Sequence, residues 1–213
     1  MNMTEFETKY ATHYKSALDV LSQTGSVDDV FCYIDSIEGN DGDYRDVTFG
    51  KVAIMLASQR EANQALRFCS AISDPLERAD SMVRVARELR KENLLDSANE
   101  FLDRAVESAG KVERSYETAM VFLQVADLLE RWGKQEEALE LLHQAVVLAE
   151  VRPQPFEAGK TLRGCGRLLA SWNRIPEAIE VAQAIELPGL RATALEEIQG
   201  GGQWPVHPGV HID

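Results

Sequence analysis

Apolar residues along the chain recur at spacings of three and four, which is the periodicity of an amphipathic α-helix. The pattern breaks at intervals, and four breaks carry a residue that commonly ends a helix: Gly25, Asn93, Gly133 and Asn173. Gly and Asn tolerate the left-handed backbone conformation found just past a helix C-terminus. Apolar and polar residues never alternate for long enough to predict a strand. We therefore predict an all-α chain of about eleven helices.

Helix starts carry their own signals. Ser26 and Asp74 are predicted N-cap residues, because their side-chain oxygens can accept a backbone N–H of the first turn. Proline fits the first helical turn and marks three further starts, at Pro155, Pro176 and Pro188.

The apolar positions also repeat. Each copy places an apolar, a small and a large residue on its first helix, and a small, a large and a small residue on its second. Two copies 40 residues apart show this most clearly: Val85-Ala86, Leu89, Ala98, Leu102 and Ala105, then Val125-Ala126, Leu129, Ala138, Leu142 and Ala145. Further copies lie 40 residues after these and 33 residues before them. A small residue lets two helices approach closely, so Ala126 and Ala138 are predicted at a helix crossing.

This spacing resembles that of the tetratricopeptide-repeat family, with aliphatic residues in most of the places where the family has aromatic ones. The resemblance extends over roughly residues 10–199. It implies a right-handed α-solenoid of antiparallel helix pairs. We expect one repeat domain over residues 1–199, made of about five pairs and a C-terminal capping helix, followed by a Gly- and Pro-rich tail over residues 200–213.

The net charge of the chain excludes some classes of binding partner. The chain has 22 Lys and Arg against 35 Asp and Glu, a net charge of −13, which repels nucleic-acid phosphates and anionic membranes. No apolar run approaches the roughly 20 residues that span a bilayer. The first residues lack the features of a secretory signal, and Cys32, Cys69 and Cys165 are too scattered for a disulfide framework. We expect a cytoplasmic protein that binds neither nucleic acid nor membrane.

Three segments could suggest a cofactor or metal. Gly159-Lys160-Thr161 resembles the end of a phosphate-binding loop, but it has Gln154 in place of the first glycine and falls in a predicted helix. The acidic segment 38–43 lacks the glycine and glutamate positions of a calcium loop. His207, His211 and Asp213 lie in the tail without a rigid frame. No catalytic constellation stands out, so we expect no cofactor, no metal and no enzymatic activity.

The resemblance implies that the first helix of each pair lines a concave groove. There, Lys160, Arg163 and Arg167 fall at spacings of three and four, which makes one basic stripe. Val83, Met120 and Leu123 are the apolar anchors expected beside it. The candidate partner-binding residues, all expected to face the groove, are Val83, Arg87, Arg90, Lys91, Met120, Leu123, Asp127, Lys160, Arg163 and Arg167.

These residues favour a protein-binding adaptor or chaperone-like scaffold that binds an acidic, partly apolar peptide or helix. Two alternatives stay open from the sequence. The chain could be a structural protein that binds copies of itself through the groove or the terminal helices, or the charged stripe could be no more than a solvated helix face.

Overall fold

The structure, a computed structural model, describes residues 3–37, 42–112, 116–150 and 154–200. Over these residues the chain forms eleven helices and no strands, as the sequence predicts. The helices are α1 (Met3–Thr24), α2 (Val27–Asp35), α3 (Gly42–Ser58), α4 (Ala62–Ser70), α5 (Pro75–Lys91), α6 (Leu95–Gly110), α7 (Tyr116–Arg131), α8 (Gln135–Glu150), α9 (Pro155–Ser171), α10 (Ile175–Gln183) and α11 (Pro188–Gln199). The predicted tail lies outside the described residues, apart from Gly200.

The chain divides into two compact units, Met1–Lys111 and Val112–Asp213. In the first unit, α1, α3 and α5 pack successively on one another, and each also contacts the helix that follows it. In the second unit, α9 packs against α7, α8, α10 and α11. Within each unit the helices therefore form the repeating pairs that the periodicity predicts.

Four helix pairs share one turn geometry. The residue just past the first helix has a positive φ in each: 68° at Arg60, 61° at Asn93, 83° at Gly133 and 61° at Asn173. The next backbone N–H donates to the carbonyl oxygen of a leucine five residues earlier, at 2.8 or 2.9 Å; these leucines are Leu56, Leu89, Leu129 and Leu169. This bond completes the helix C-terminus. Gly25 also has a positive φ, of 67°, so all four predicted stop residues are confirmed.

The predicted helix starts are confirmed as well. Ser26 Oγ accepts a hydrogen bond from the Asp29 N–H at 3.2 Å. Asp74 Oδ1 accepts from the N–H groups of Leu76 and Glu77 at 2.9 and 2.7 Å, which satisfies two donors at the start of α5. The three prolines named above all lie in the first turns of their helices.

The small residues of the repeat lie where helices meet. Ala126 and Ala138 have no exposed surface, as expected at a crossing. On α9, a Cβ added to Gly166 would lie 3.3 Å from both the Ala178 carbonyl oxygen of α10 and Ile198 Cδ1 of α11. These close approaches fix α9 against its two C-terminal neighbours, and so determine which face of α9 is left for other contacts.

Candidate functional site

A groove runs between α7 and α9, the first helices of the two pairs in the C-terminal unit, and encloses about 370 Å³. We call it the α7–α9 groove. Its lining residues are Tyr116, Met120, Leu123 and Gln124 from α7, and Lys160, Arg163, Gly164, Arg167, Leu168 and Ser171 from α9. No described lining residue carries a carboxylate. The lining is therefore apolar and positively charged, in a chain with a net charge of −13.

A glycine shapes the floor of the groove. A Cβ added to Gly164 would lie 2.9 Å from Leu123 Cδ1, so the absence of a side chain lets this leucine approach α9 closely. Leu123 is only 5% exposed and forms part of the wall. Met120, one turn earlier on α7, is half-buried and presents apolar surface to the cavity.

Lys160 lies at the N-terminal end of α9, between two aromatic rings. Its Nζ atom is 4.4 Å from the centre of the Phe156 ring and 5.8 Å from that of Tyr116. Both distances allow a cation–π attraction, which restrains the long lysine side chain. Phe156 is 57% exposed, so this end of the groove presents an aromatic surface beside a cation. Burial is the main cause that raises the pKa of Tyr116, with Glu117 and Glu157 adding to it.

Arg163 is held by a carboxylate from α11. Its Nε donates to Glu197 Oε2 at 2.8 Å, and its Nη2 donates to Glu197 Oε1, so the pair is bidentate. The hydrogen bond to Glu197 raises the pKa of Arg163. The Glu197 side chain is only 11% exposed and does not itself line the groove. The sequence predicts a solvent-facing cation here, whereas the structure compensates its charge.

Arg167 lies one turn beyond Arg163 and is half-buried. Burial lowers its pKa, Glu197 opposes that effect, and Arg163 adds to it through repulsion between like charges. Arg167 nevertheless remains cationic at neutral pH, because a guanidinium titrates far above it. Glu197 therefore acts on the charges of both Arg163 and Arg167.

The structure brings together half of the predicted partner-binding residues. Five of the ten line the α7–α9 groove: Met120, Leu123, Lys160, Arg163 and Arg167. Asp127 does not line it; this residue is 3% exposed, and its Oδ2 lies 3.1 Å from Arg131 Nη2.

The other four predicted residues lie on α5, in the N-terminal unit. Val83 is only 1% exposed, so the expectation of an exposed apolar anchor there is wrong: its side chain belongs to the core. Arg87 and Arg90 are half-buried, while Lys91 is exposed and pairs with Glu88 at 2.7 Å.

The sequence prediction missed five lining residues: Tyr116, Gln124, Gly164, Leu168 and Ser171. Tyr116 and Gln124 lie four residues to either side of Met120, so extending the helical spacing would have found them. Gly164 gave no such signal, because the need for a missing side chain depends on where Leu123 lies.

The other motifs considered in the sequence do not form a metal or phosphate site among the described residues. Among the described residues, no group of three or more His, Cys, Asp and Glu side chains is arranged to hold a metal ion. Gly159-Lys160-Thr161 lies inside helix α9, as predicted, rather than in a loop that could surround phosphate. The tail histidines and most of the acidic segment 38–43 fall outside the described residues. None of the described helices is long and apolar enough to cross a bilayer.

Comparison with known proteins informs the fold alone. No protein-family model matches the chain, and no curated protein does. A solved structure with a similar fold is Ton1535 from Thermococcus onnurineus NA1, with a TM-score of 0.51 and 17% sequence identity. The alignment covers 88% of this chain and 57% of Ton1535, so the chain spans little more than half the length of that protein.

Proposed function

We propose that this chain is a non-enzymatic, tetratricopeptide-like module that binds an acidic, partly apolar segment of a partner protein in the α7–α9 groove. One observation carries the proposal: three cations and several apolar side chains line one cavity of a strongly acidic chain. The repeating helix pairs support the tetratricopeptide-like part of the proposal. We infer an adaptor or chaperone-like role in the cytoplasm for this module.

The apolar lining has to supply most of the affinity. An exposed ion pair contributes about 0.2–1 kcal/mol, whereas micromolar binding requires about 8 kcal/mol. Met120 and Tyr116 are half-buried and can be covered further by a ligand. Large apolar side chains of the partner would therefore dock on α7, while the cations of α9 select acidic sequences over basic ones.

A direct test uses two fluorescent amphipathic peptides, one rich in Glu and Leu and one in which Lys replaces every Glu. We expect the acidic peptide to bind the full chain in the α7–α9 groove, as measured by fluorescence anisotropy, and any binding of the basic peptide to the acidic surface to be unaffected by Met120→Ala. Lys160→Gln and Met120→Ala should each weaken binding of the acidic peptide by about three- to tenfold.

The matched control is Lys134→Gln, which removes the lysine just before α8 that pairs with Glu137 at 3.0 Å and does not line the groove. It should leave the affinity unchanged. The proposal is overturned if the control weakens binding as much as Lys160→Gln does, or if both groove variants bind like the original protein.

Self-association is a second candidate, and a surface on α8 favours it. Leu139, His143 and Val147 lie on one face of α8, and Val147 is 53% exposed. The preceding copy of the repeat has polar residues at the equivalent positions of α6, 40 residues earlier: Asn99, Asp103 and Glu107. The α8 face also carries Glu136 and Glu140, which complement a basic groove on another copy. Sedimentation velocity over a hundredfold range of concentration tests this, since a mass that stays monomeric excludes it.

A further inference from the structure

Glu197 contacts the lining of the α7–α9 groove without being part of it. Its carboxylate oxygens accept hydrogen bonds from Arg163 Nε, at 2.8 Å, and from Arg163 Nη2. Burial lowers the pKa of Arg167, and Glu197 acts against this effect. One carboxylate of α11 therefore acts on two of the three cations that line the groove.

The packing of α11 on α9 determines where this carboxylate lies. A Cβ added to Gly159 would lie 2.6 Å from Leu190 Cδ2. One added to Gly166 would lie 3.3 Å from Ile198 Cδ1. Two glycines of α9 thus allow a close approach near both ends of α11. Glu197 immediately precedes Ile198, so the same contact holds its side chain, only 11% of which is exposed, beside α9.

A carboxylate in this position changes which ligands the groove favours. It offsets one of the three positive charges of the lining, and it repels every acidic group that a ligand brings near it. The repulsion grows with the number of acidic groups, whereas apolar contacts with Met120 and Leu123 do not depend on the charge of the ligand. Glu197 therefore opposes acid-rich ligands more strongly than ligands with few acidic groups.

We propose that Glu197 is a specificity-determining residue, which shifts the preference of the α7–α9 groove away from acid-rich segments and toward partner segments with few acidic and several large apolar residues. This inference rests on the proposed function. It adds a limit on the number of acidic groups that the partner segment carries, and it names the residue that sets this limit.

Two fluorescent peptides with the same apolar residues test the proposal. One carries a single Glu and the other carries four, with Gln in the remaining polar positions. With the full chain, Glu197→Gln should tighten binding of the four-Glu peptide about three- to fivefold and that of the one-Glu peptide less than about twofold. Fluorescence anisotropy measures both affinities. The gain should shrink toward about 0.5 M salt, where the Debye length is roughly 4 Å.

The matched control is Glu196→Gln, which makes the same change in net charge at the neighbouring, exposed position of α11. It should change the affinity for either peptide by less than about twofold. An equal gain from Glu196→Gln and Glu197→Gln would show that the net charge of the chain sets the preference, and it would overturn the role of Glu197.

A second pair of variants separates the charge of Glu197 from its part in packing. Arg163→Gln should weaken binding of the four-Glu peptide about three- to fivefold, because the lining loses a cation while the carboxylate of Glu197 stays. Adding Glu197→Gln to that variant should recover about threefold in affinity. If Glu197 served only to hold α11 on α9, the second change would weaken binding further, and that result would overturn the proposal.

The outcomes also separate this inference from the proposed function. If Met120→Ala weakens both peptides while Glu197→Gln changes both affinities equally or not at all, groove binding stands and the role of Glu197 is wrong. If neither peptide binds the full chain, or if Met120→Ala has no effect on binding, the proposed function and this inference both fail.

Discussion

The buried cysteines illustrate how position controls the chemistry of a single residue. Burial raises the pKa of both the Cys69 and Cys165 thiols to about 12, while Cys32 is exposed. Because the thiolate is the reactive form, a thiol reagent at pH 8 should modify Cys32 rapidly and the other two only after unfolding. Counting fast-reacting thiols in native protein and in urea checks this prediction. Three fast thiols in the native protein would show that the core opens more readily than the structure indicates.

Glu77 is a carboxyl group whose environment opposes its charge. Burial raises its pKa most, followed by Asp80, while Arg84 acts in the opposite direction. The folded chain thus holds a proton on Glu77 more tightly than the unfolded chain. The stabilising contribution from that proton is present at low pH and is lost as pH rises through the raised pKa.

Replacing this carboxyl by an amide should therefore stabilise the protein where the carboxyl is charged. We expect Glu77→Gln to raise the free energy of unfolding at pH 7 by about 0.5 kcal/mol. The gain should shrink toward pH 4, and urea unfolding at both pH values measures it. Glu140→Gln, at an exposed position of α8, is the control and should change stability little at either pH. A gain that grows on acidification would contradict the assigned cause.

At the scale of helical elements, the turn between α3 and α4 departs from the other three in one residue. Arg60 adopts a φ of 68° where the equivalent turns have Asn or Gly. A side chain with a Cβ is disfavoured in that region, by roughly 1–2 kcal/mol. We expect Arg60→Gly to raise the free energy of unfolding by about 0.5–1 kcal/mol, since part of the relief is offset by the greater freedom of glycine in the unfolded chain.

Arg60→Ala is the matched control, because it removes the same side chain but keeps the Cβ. It should give no such gain, and urea unfolding of the two variants provides the comparison. Equal stability of the two variants would show that the backbone at Arg60 is not under strain.

The repeat also requires small side chains where two helices pack closely. Ala126 has no exposed surface on α7, so a larger side chain there has to displace its neighbours. Ala126→Leu should lower the free energy of unfolding by about 1–3 kcal/mol. Thermal unfolding followed by circular dichroism measures it, with Glu140→Leu on the exposed side of α8 as a control of the same size. An unchanged midpoint for Ala126→Leu would count against the crossing.

Local patterns explain why helices and turns were predictable while parts of the site were not. Helix periodicity, N-caps and left-handed turn residues each depend on a few neighbouring residues, so they can be predicted directly from the sequence. The bond between Arg163 and Glu197 joins residues 34 apart on different helices, and it depends on how α11 packs on α9. Val83 follows the spacing of the predicted groove face but is buried, because periodicity assigns a face without saying what covers it.

At the scale of the whole molecule, the charge of the chain and the charge of its groove have opposite signs. The net charge is −13, yet the described lining of the α7–α9 groove contains three cations and no carboxylate. An acidic ligand is therefore repelled at long range and attracted only once it is within reach of the groove cations. Salt screens both the long-range repulsion by the whole chain and the short-range attraction by the groove.

This opposition predicts an unusual response of the binding rates to salt. Between about 0.05 and 0.5 M salt the Debye length falls from roughly 14 to 4 Å, so the long-range repulsion is screened. Association of the acidic peptide should then become faster, whereas electrostatically steered association normally slows. Dissociation should also become faster, because the ion pairs between the peptide and the groove cations are weakened. Stopped-flow anisotropy with the full chain measures both rates, and an association rate that falls steeply with salt would mean that the groove, rather than the net charge, controls the approach of the ligand.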